Sequence, residues 1–161
     1  MNLPPFRFLD CLRLCVPALL LGAFLRISFV AAIPEAHYSA DAGSYFEATD
    51  YRWNRNKTKF NEKRRWLYPM LLLAAPALPG SSAQTIAFTQ HTVGLAAVLA
   101  AGWVVGNVTR RRRLWVPAVT LIVAALPQAL WFEHEAVAEC FFVSSFMLAT
   151  ALALPHDRLR T

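Results

Sequence analysis

Four apolar stretches, each broken by few charges, set the pattern of this chain. They are "CVPALLLGAFLRISFVAAI" over 15–33, "TIAFTQHTVGLAAVLAAGWVVGNV" over 85–108, "LWVPAVTLIVAALPQALW" over 114–131 and "HEAVAECFFVSSFMLATALAL" over 134–154. A transmembrane helix takes about 20 predominantly apolar residues, so each stretch predicts one span. A fifth run, "LYPMLLLAAPAL" over 67–78, is too short to cross and contains Pro69 and Pro76. It predicts an interfacial helix within the first outer loop, 34–84. The expected fold is all-α: one membrane domain over 1–161, a polytopic helical bundle of about four transmembrane helices, with short interfacial helices in that loop.

Composition agrees with this pattern. Hydrophobic residues make up 57% of the 161 positions and mean hydropathy is +0.38, above the apolar fraction usual for soluble domains. Arg26 lies inside the first run, and no polar mature domain follows an A-x-A site. That run therefore reads as a retained helix rather than a cleaved leader. The formal charge of +6 points to lipid head groups or anionic substrates. No nucleic-acid-binding motif is present.

Charge also orients the spans. "RRRR" at 110–113 fills the short connection between the second and third stretches. Clustered arginines in short loops stay on the cytoplasmic side. Alternation then places both termini in the cytoplasm and loop 34–84 outside. That loop carries Arg52, Arg55, Lys57, Lys59, Lys63, Arg64 and Arg65, a basic cluster that runs against the tendency and asks for an anionic partner.

With this topology, polar residues gather at the outer side. Asp41 follows the first span. Gln90 and His91 sit about 8–9 Å into the second. Glu133 and Glu135 flank the outer turn, and Glu139 lies about one turn into the fourth span, on the same helix face as Glu135. Ionisable groups at membrane depth are costly and face a cavity or a partner. Arg26 is the expected partner of Glu139. Cys11 and Cys15 read as buried thiols, because a bridge within one helix would be strained. No metal site and no cofactor are expected, since no H-E-x-x-H, Cys/His cluster or Gly-rich phosphate loop occurs.

Taken in order, these features resemble the N-terminal part of the integral-membrane glycosyltransferases of the GT-C fold. That superfamily includes the protein O-mannosyltransferases and the lipid A aminoarabinose transferase. The matching elements are Arg26 in the first span, Asp41 and Tyr45 in "DAGSY", the basic-aromatic-proline stretch "RRWLYPMLLL" from Arg64, "QHTVGLAAVLAAGWVVGNVTRRRR", and Pro127 with Glu139 in "LPQALWFEHEAVAECFF". Many members place a second acid beside the first-loop aspartate, whereas here Ala42 follows Asp41.

The resemblance implies hexosyl or pentosyl transfer from a polyprenyl-phosphate-linked donor to an acceptor at the outer face of the membrane, and the alanine-rich composition with the basic tetrad points to a bacterial inner membrane. It makes Asp41 the general base, and the missing second acid argues against a metal role. It assigns substrate binding to Tyr45, Arg64, Arg65, Gln90, His91, Glu133 and Glu139, with the basic residues stabilising the leaving phosphate. Typical members are several times longer. A truncated or partial enzyme is therefore one expectation. The alternative is a non-catalytic binding or assembly subunit, or a degenerate relative, working with an additional membrane subunit. A transporter is less expected, because repeated halves with broken spans are missing.

Overall fold

A computed structural model of the chain describes residues 6–38, 82–135 and 138–153. Five α-helices are described: α1 (Phe8–Ala32), α2 (Ser82–Val108), α3 (Arg112–Ala125), α4 (Pro127–His134) and α5 (Ala138–Ala153). The expected helix at 67–78 lies outside the described residues, as do Asp41, Tyr45, Arg64 and Arg65.

Two helices, α1 with 25 residues and α2 with 27, are long and apolar enough to cross a membrane. At 1.5 Å per residue they reach about 37 and 40 Å, more than the ~30 Å hydrocarbon thickness. The first helix begins seven residues before the expected span, because Leu9, Leu12 and Leu14 extend its apolar face through Pro17. The second begins three residues early, at Ser82, which puts Gln90 and His91 about 12–14 Å from its start.

The expected third span is two helices. Pro127 has no N–H to offer the carbonyl four residues back, and its ring disfavours helical backbone at the residue before it. Leu126 is accordingly extended, at φ −64° and ψ 113°, and α3 and α4 meet at a 48° bend. Counted as one crossing, the bent pair is a third candidate span. The last helix, α5, has 16 residues and reaches about 24 Å, short of a full crossing by length alone.

The helix α2 packs against α1, α3, α4 and α5, and α1 also packs against α3. Close approach depends on glycines along α2. A Cβ at Gly102 would overlap the Cys15 sulfur, and one at Gly106 would overlap the Phe6 ring. Small residues serve this purpose between membrane helices, where dispersion rather than water expulsion drives contact. At the end carrying the arginines, Phe6 stacks on Trp103 with centroids 5.8 Å apart. Arg112 lies 4.9 Å over the Phe6 ring and donates Nε–H to the Gly106 carbonyl at 2.7 Å. A cation there suits the negative end of α2. Leu20, Phe24, Ile27, Phe142, Phe146 and Leu152 face outward, as side chains solvated by lipid rather than water do.

Candidate functional site

At the opposite end of the bundle, four ionisable side chains meet in the interior. Arg26 comes from α1, six residues before its end. His91 comes from α2, and Glu133 and His134 from the last turn of α4. All four are buried. The bend at Leu126 turns α4 so that Glu133 comes back over α1 and α2 rather than continuing the line of α3. Gly94 leaves the space for its carboxylate, because a Cβ there would overlap both Glu133 oxygens or come within contact of them.

The contacts form a continuous chain. Arg26 Nη2 donates to Glu133 Oε1 at 2.6 Å, and Arg26 Nη1 donates to the carbonyls of Gly22 and Ala124, both at 3.2 Å. The Ala124 carbonyl lies in the last turn of α3, where helix carbonyls lack their own donors, so Arg26 caps that end as well. Glu133 Oε2 lies 2.9 Å from His91 Nδ1. His91 Nε2 lies 3.1 Å from His134 Nδ1. His134 Nε2 lies 2.8 Å from the carbonyl oxygen of Glu35, just past α1. Phe29 packs edge-on against His134 at 4.8 Å and against Trp131 at 6.4 Å, shielding the array from one side.

The same cluster ties down the chain on either side of residues 39–81. The Ala36 N–H donates to the Ala83 carbonyl at 3.2 Å, and the His37 N–H donates to the His134 carbonyl at 2.9 Å. Gln90 Nε2 donates to the Glu135 carbonyl at 3.1 Å. The His37 ring stands 5.8 Å from Trp131. Beyond the span, burial and then the nearby Glu35 carboxylate raise the Tyr38 phenol above its ordinary pKa, which keeps it protonated.

Three of the sequence-expected site residues, Gln90, His91 and Glu133, are thus together. Glu139 is not with them: it is exposed on the first turn of α5. The expected Arg26–Glu139 pair is therefore corrected to Arg26–Glu133, because the Pro127 bend brings the earlier glutamate to the arginine. Both Glu133 oxygens are taken by Arg26 and His91, which suits a brace better than a direct contact with substrate. His134 and the Glu35 carbonyl were not anticipated. The available signal was a His directly after Glu133, in a helix started by Pro127 within an apolar run.

Among the described residues no group of three His, Cys, Asp or Glu is placed to hold a metal ion. Cys11 and Cys15 are free and buried, with sulfurs 3.9 Å apart. Beside the network, Ala23, Ile27, Val30, Phe88 and Leu95 line an apolar crevice of about 440 Å³ between α1 and α2 that reaches Arg26 and His91. No protein-family model, curated protein or solved structure matches the chain.

Proposed function

We propose that the chain is a membrane glycosyltransferase of the GT-C kind, or a part of one, transferring a sugar from a polyprenyl-phosphate donor to an acceptor at the outer face. One observation carries the reading. The backbone on both sides of residues 39–81, at Ala36, His37 and Ala83, is fastened to the cluster that holds Gln90, His91 and Glu133. The segment bearing Asp41, Tyr45, Arg64 and Arg65 thus leaves from and returns to a buried ion network. Such a support suits a loop that must hold a base and a set of cations in fixed relation.

In this reading Asp41 takes the proton of an acceptor hydroxyl as the oxygen attacks the anomeric carbon. Arg64 and Arg65 stabilise the departing lipid phosphate. Tyr45, Gln90 and Glu139 contact substrate, while Glu133 and His91 brace the loop. The hydrocarbon of the carrier lies along the crevice between α1 and α2. The bent pair α3–α4 is one span and α5 the fourth. The arginines at 110–113 face the cytoplasm of a bacterial cell, together with both termini.

The test is transfer of a labelled sugar from a polyprenyl-phosphate donor by protein reconstituted in lipid, with Asp41→Asn beside the wild type. Loss of turnover with donor binding intact is the expected result. Retained turnover in Asp41→Asn would remove the base assignment. Donor binding by the wild type without turnover would favour the non-catalytic subunit, and no binding at all would sink both readings.

A further inference from the structure

The buried array contains three consecutive contacts of hydrogen-bond length beyond the Arg26–Glu133 pair. They are Glu133 Oε2 to His91 Nδ1, His91 Nε2 to His134 Nδ1, and His134 Nε2 to the Glu35 carbonyl, at 2.9, 3.1 and 2.8 Å. Each needs one proton between its two heavy atoms. The carbonyl only accepts, so His134 Nε2 must carry a hydrogen. A neutral His134 then has a bare Nδ1, and His91 Nε2 must donate to it. A neutral His91 then presents a bare Nδ1 to Glu133, and an ionised Glu133 has no hydrogen to give. Two neutral imidazoles and one carboxylate therefore supply two protons for three contacts.

From this count we infer that Glu133, His91 and His134 together bind one excess proton, and that its release unlatches His134 from Glu35 and loosens the chain leading into residues 39–81. The inference is independent of the sugar-transfer reading. The neighbouring charges decide where the missing bond falls. Arg26, 2.6 Å from Glu133, pairs with that carboxylate. The carboxylate in turn holds the His91 Nδ1–H, the strongest of the three contacts because its acceptor is charged. His91 Nε2 is then bare and accepts from His134 Nδ1–H. His134 Nε2 is left bare against the Glu35 carbonyl, and two lone pairs repel. The defect thus collects at the outer end, where Glu35 is exposed and its carbonyl turns to water.

Among the described residues, the contacts at these three pairs of atoms bring in no other donor. Gln90, beside His91 on α2, donates to the Glu135 carbonyl. On the α3 side the Ala124 carbonyl accepts from Arg26. Glu35 and Glu139 carry exposed carboxylates, on the stretch after α1 and on α5, and Glu135 is half-buried after α4. His37, exposed beside Trp131, adds a like charge when protonated and favours release from His134. The sign follows directly. The proton is bound and the latch closed at low pH, and the latch opens as pH rises.

The test uses the full chain in lipid nanodiscs with 15N-labelled histidine, assigned by single His→Gln variants, alongside hydrogen exchange of the Ala36 and His37 amides. A shared one-proton step at His91 and His134 is expected. Exchange of the two amides, corrected for its intrinsic pH dependence, should rise about five-fold across that step, the equivalent of one neutral hydrogen bond. In Glu133→Gln the amide oxygen still accepts from Arg26, and the amide N–H supplies the third hydrogen to His91. The step should vanish and protection should stay at its low-pH level. Imidazoles that remain neutral throughout with unchanged protection in the wild type would overturn the inference. So would a Glu133→Gln protein that follows the wild type. The wild-type titration decides alone if the variant does not fold.

Discussion

Replacing Arg26 by Met tests how much the bundle depends on its buried ion pair. Arg26 and Glu133 are 4% and 3% exposed, respectively, with N and O atoms 2.6 Å apart. Removing one member of such a pair leaves the other charge buried and costs about 3–5 kcal/mol. His91 remains to hold Glu133 Oε2, which limits the loss. The Ala124 carbonyl loses its donor, at a cost of about 1 kcal/mol. A destabilisation of about 3–5 kcal/mol is expected, because methionine preserves the packing of the arginine stem. The double variant Arg26→Met, Glu133→Met removes both charges. It also removes the Arg26 Nε–H, which has no acceptor among the described residues. It should therefore recover about half of the loss or more. Equilibrium unfolding in mixed micelles, followed by the fluorescence of Trp103 and Trp131, measures both. A single variant within about 1 kcal/mol of wild type, or a double variant no better than the single, would refute the account of a strong, mutually dependent pair.

Gly94→Ala places a methyl group against the Glu133 carboxylate and should destabilise by about 1–3 kcal/mol in the same unfolding assay. Gly106→Ala places a methyl group against the Phe6 ring. That ring is buried and stacked on Trp103, so a loss of about 1–3 kcal/mol is expected there as well. Cys11 and Cys15 are fully buried, so peptide mapping after treatment with a maleimide should find both unmodified in the folded protein and alkylated after unfolding. Alkylation of either in the folded state would contradict the packing of α1 against Gly102.

Hydropathy located α1 and α2 well because the apolar runs are long and the cost of exposing backbone polar groups to lipid leaves helix as the only outcome. It began α1 at residue 15, where the uninterrupted apolar run starts, whereas the helix starts at Phe8, with Asp10 in its first turn and Pro17 in its interior. It drew α3 and α4 as one span although Pro127 was in view, since periodicity does not report a bend. The site was legible as a set of polar residues at one depth, and Gln90, His91 and Glu133 do meet. Their partners were not legible. Distance along the sequence favoured Glu139 for Arg26 no less than Glu133, and only the 48° turn at Leu126 decides between them. The role of Gly94, a space for a carboxylate 39 positions later in the chain, has no local signature.

The ion pair also bears on how the chain enters the membrane. Arg26 and Glu133 are 107 positions apart. At synthesis rates of about 5–20 residues per second, α1 leaves the ribosome roughly 5–20 s before its counter-ion exists. During that interval α1 is a hydrophobic helix with an unpaired cation about 9 Å from its end, close enough for the guanidinium to reach the head groups. Emergence of α4 then offers that cation a partner at depth and draws it inward. Assembly of this bundle is therefore timed by its own sequence order, with the last turn of α4 closing an arrangement that α1 had held open.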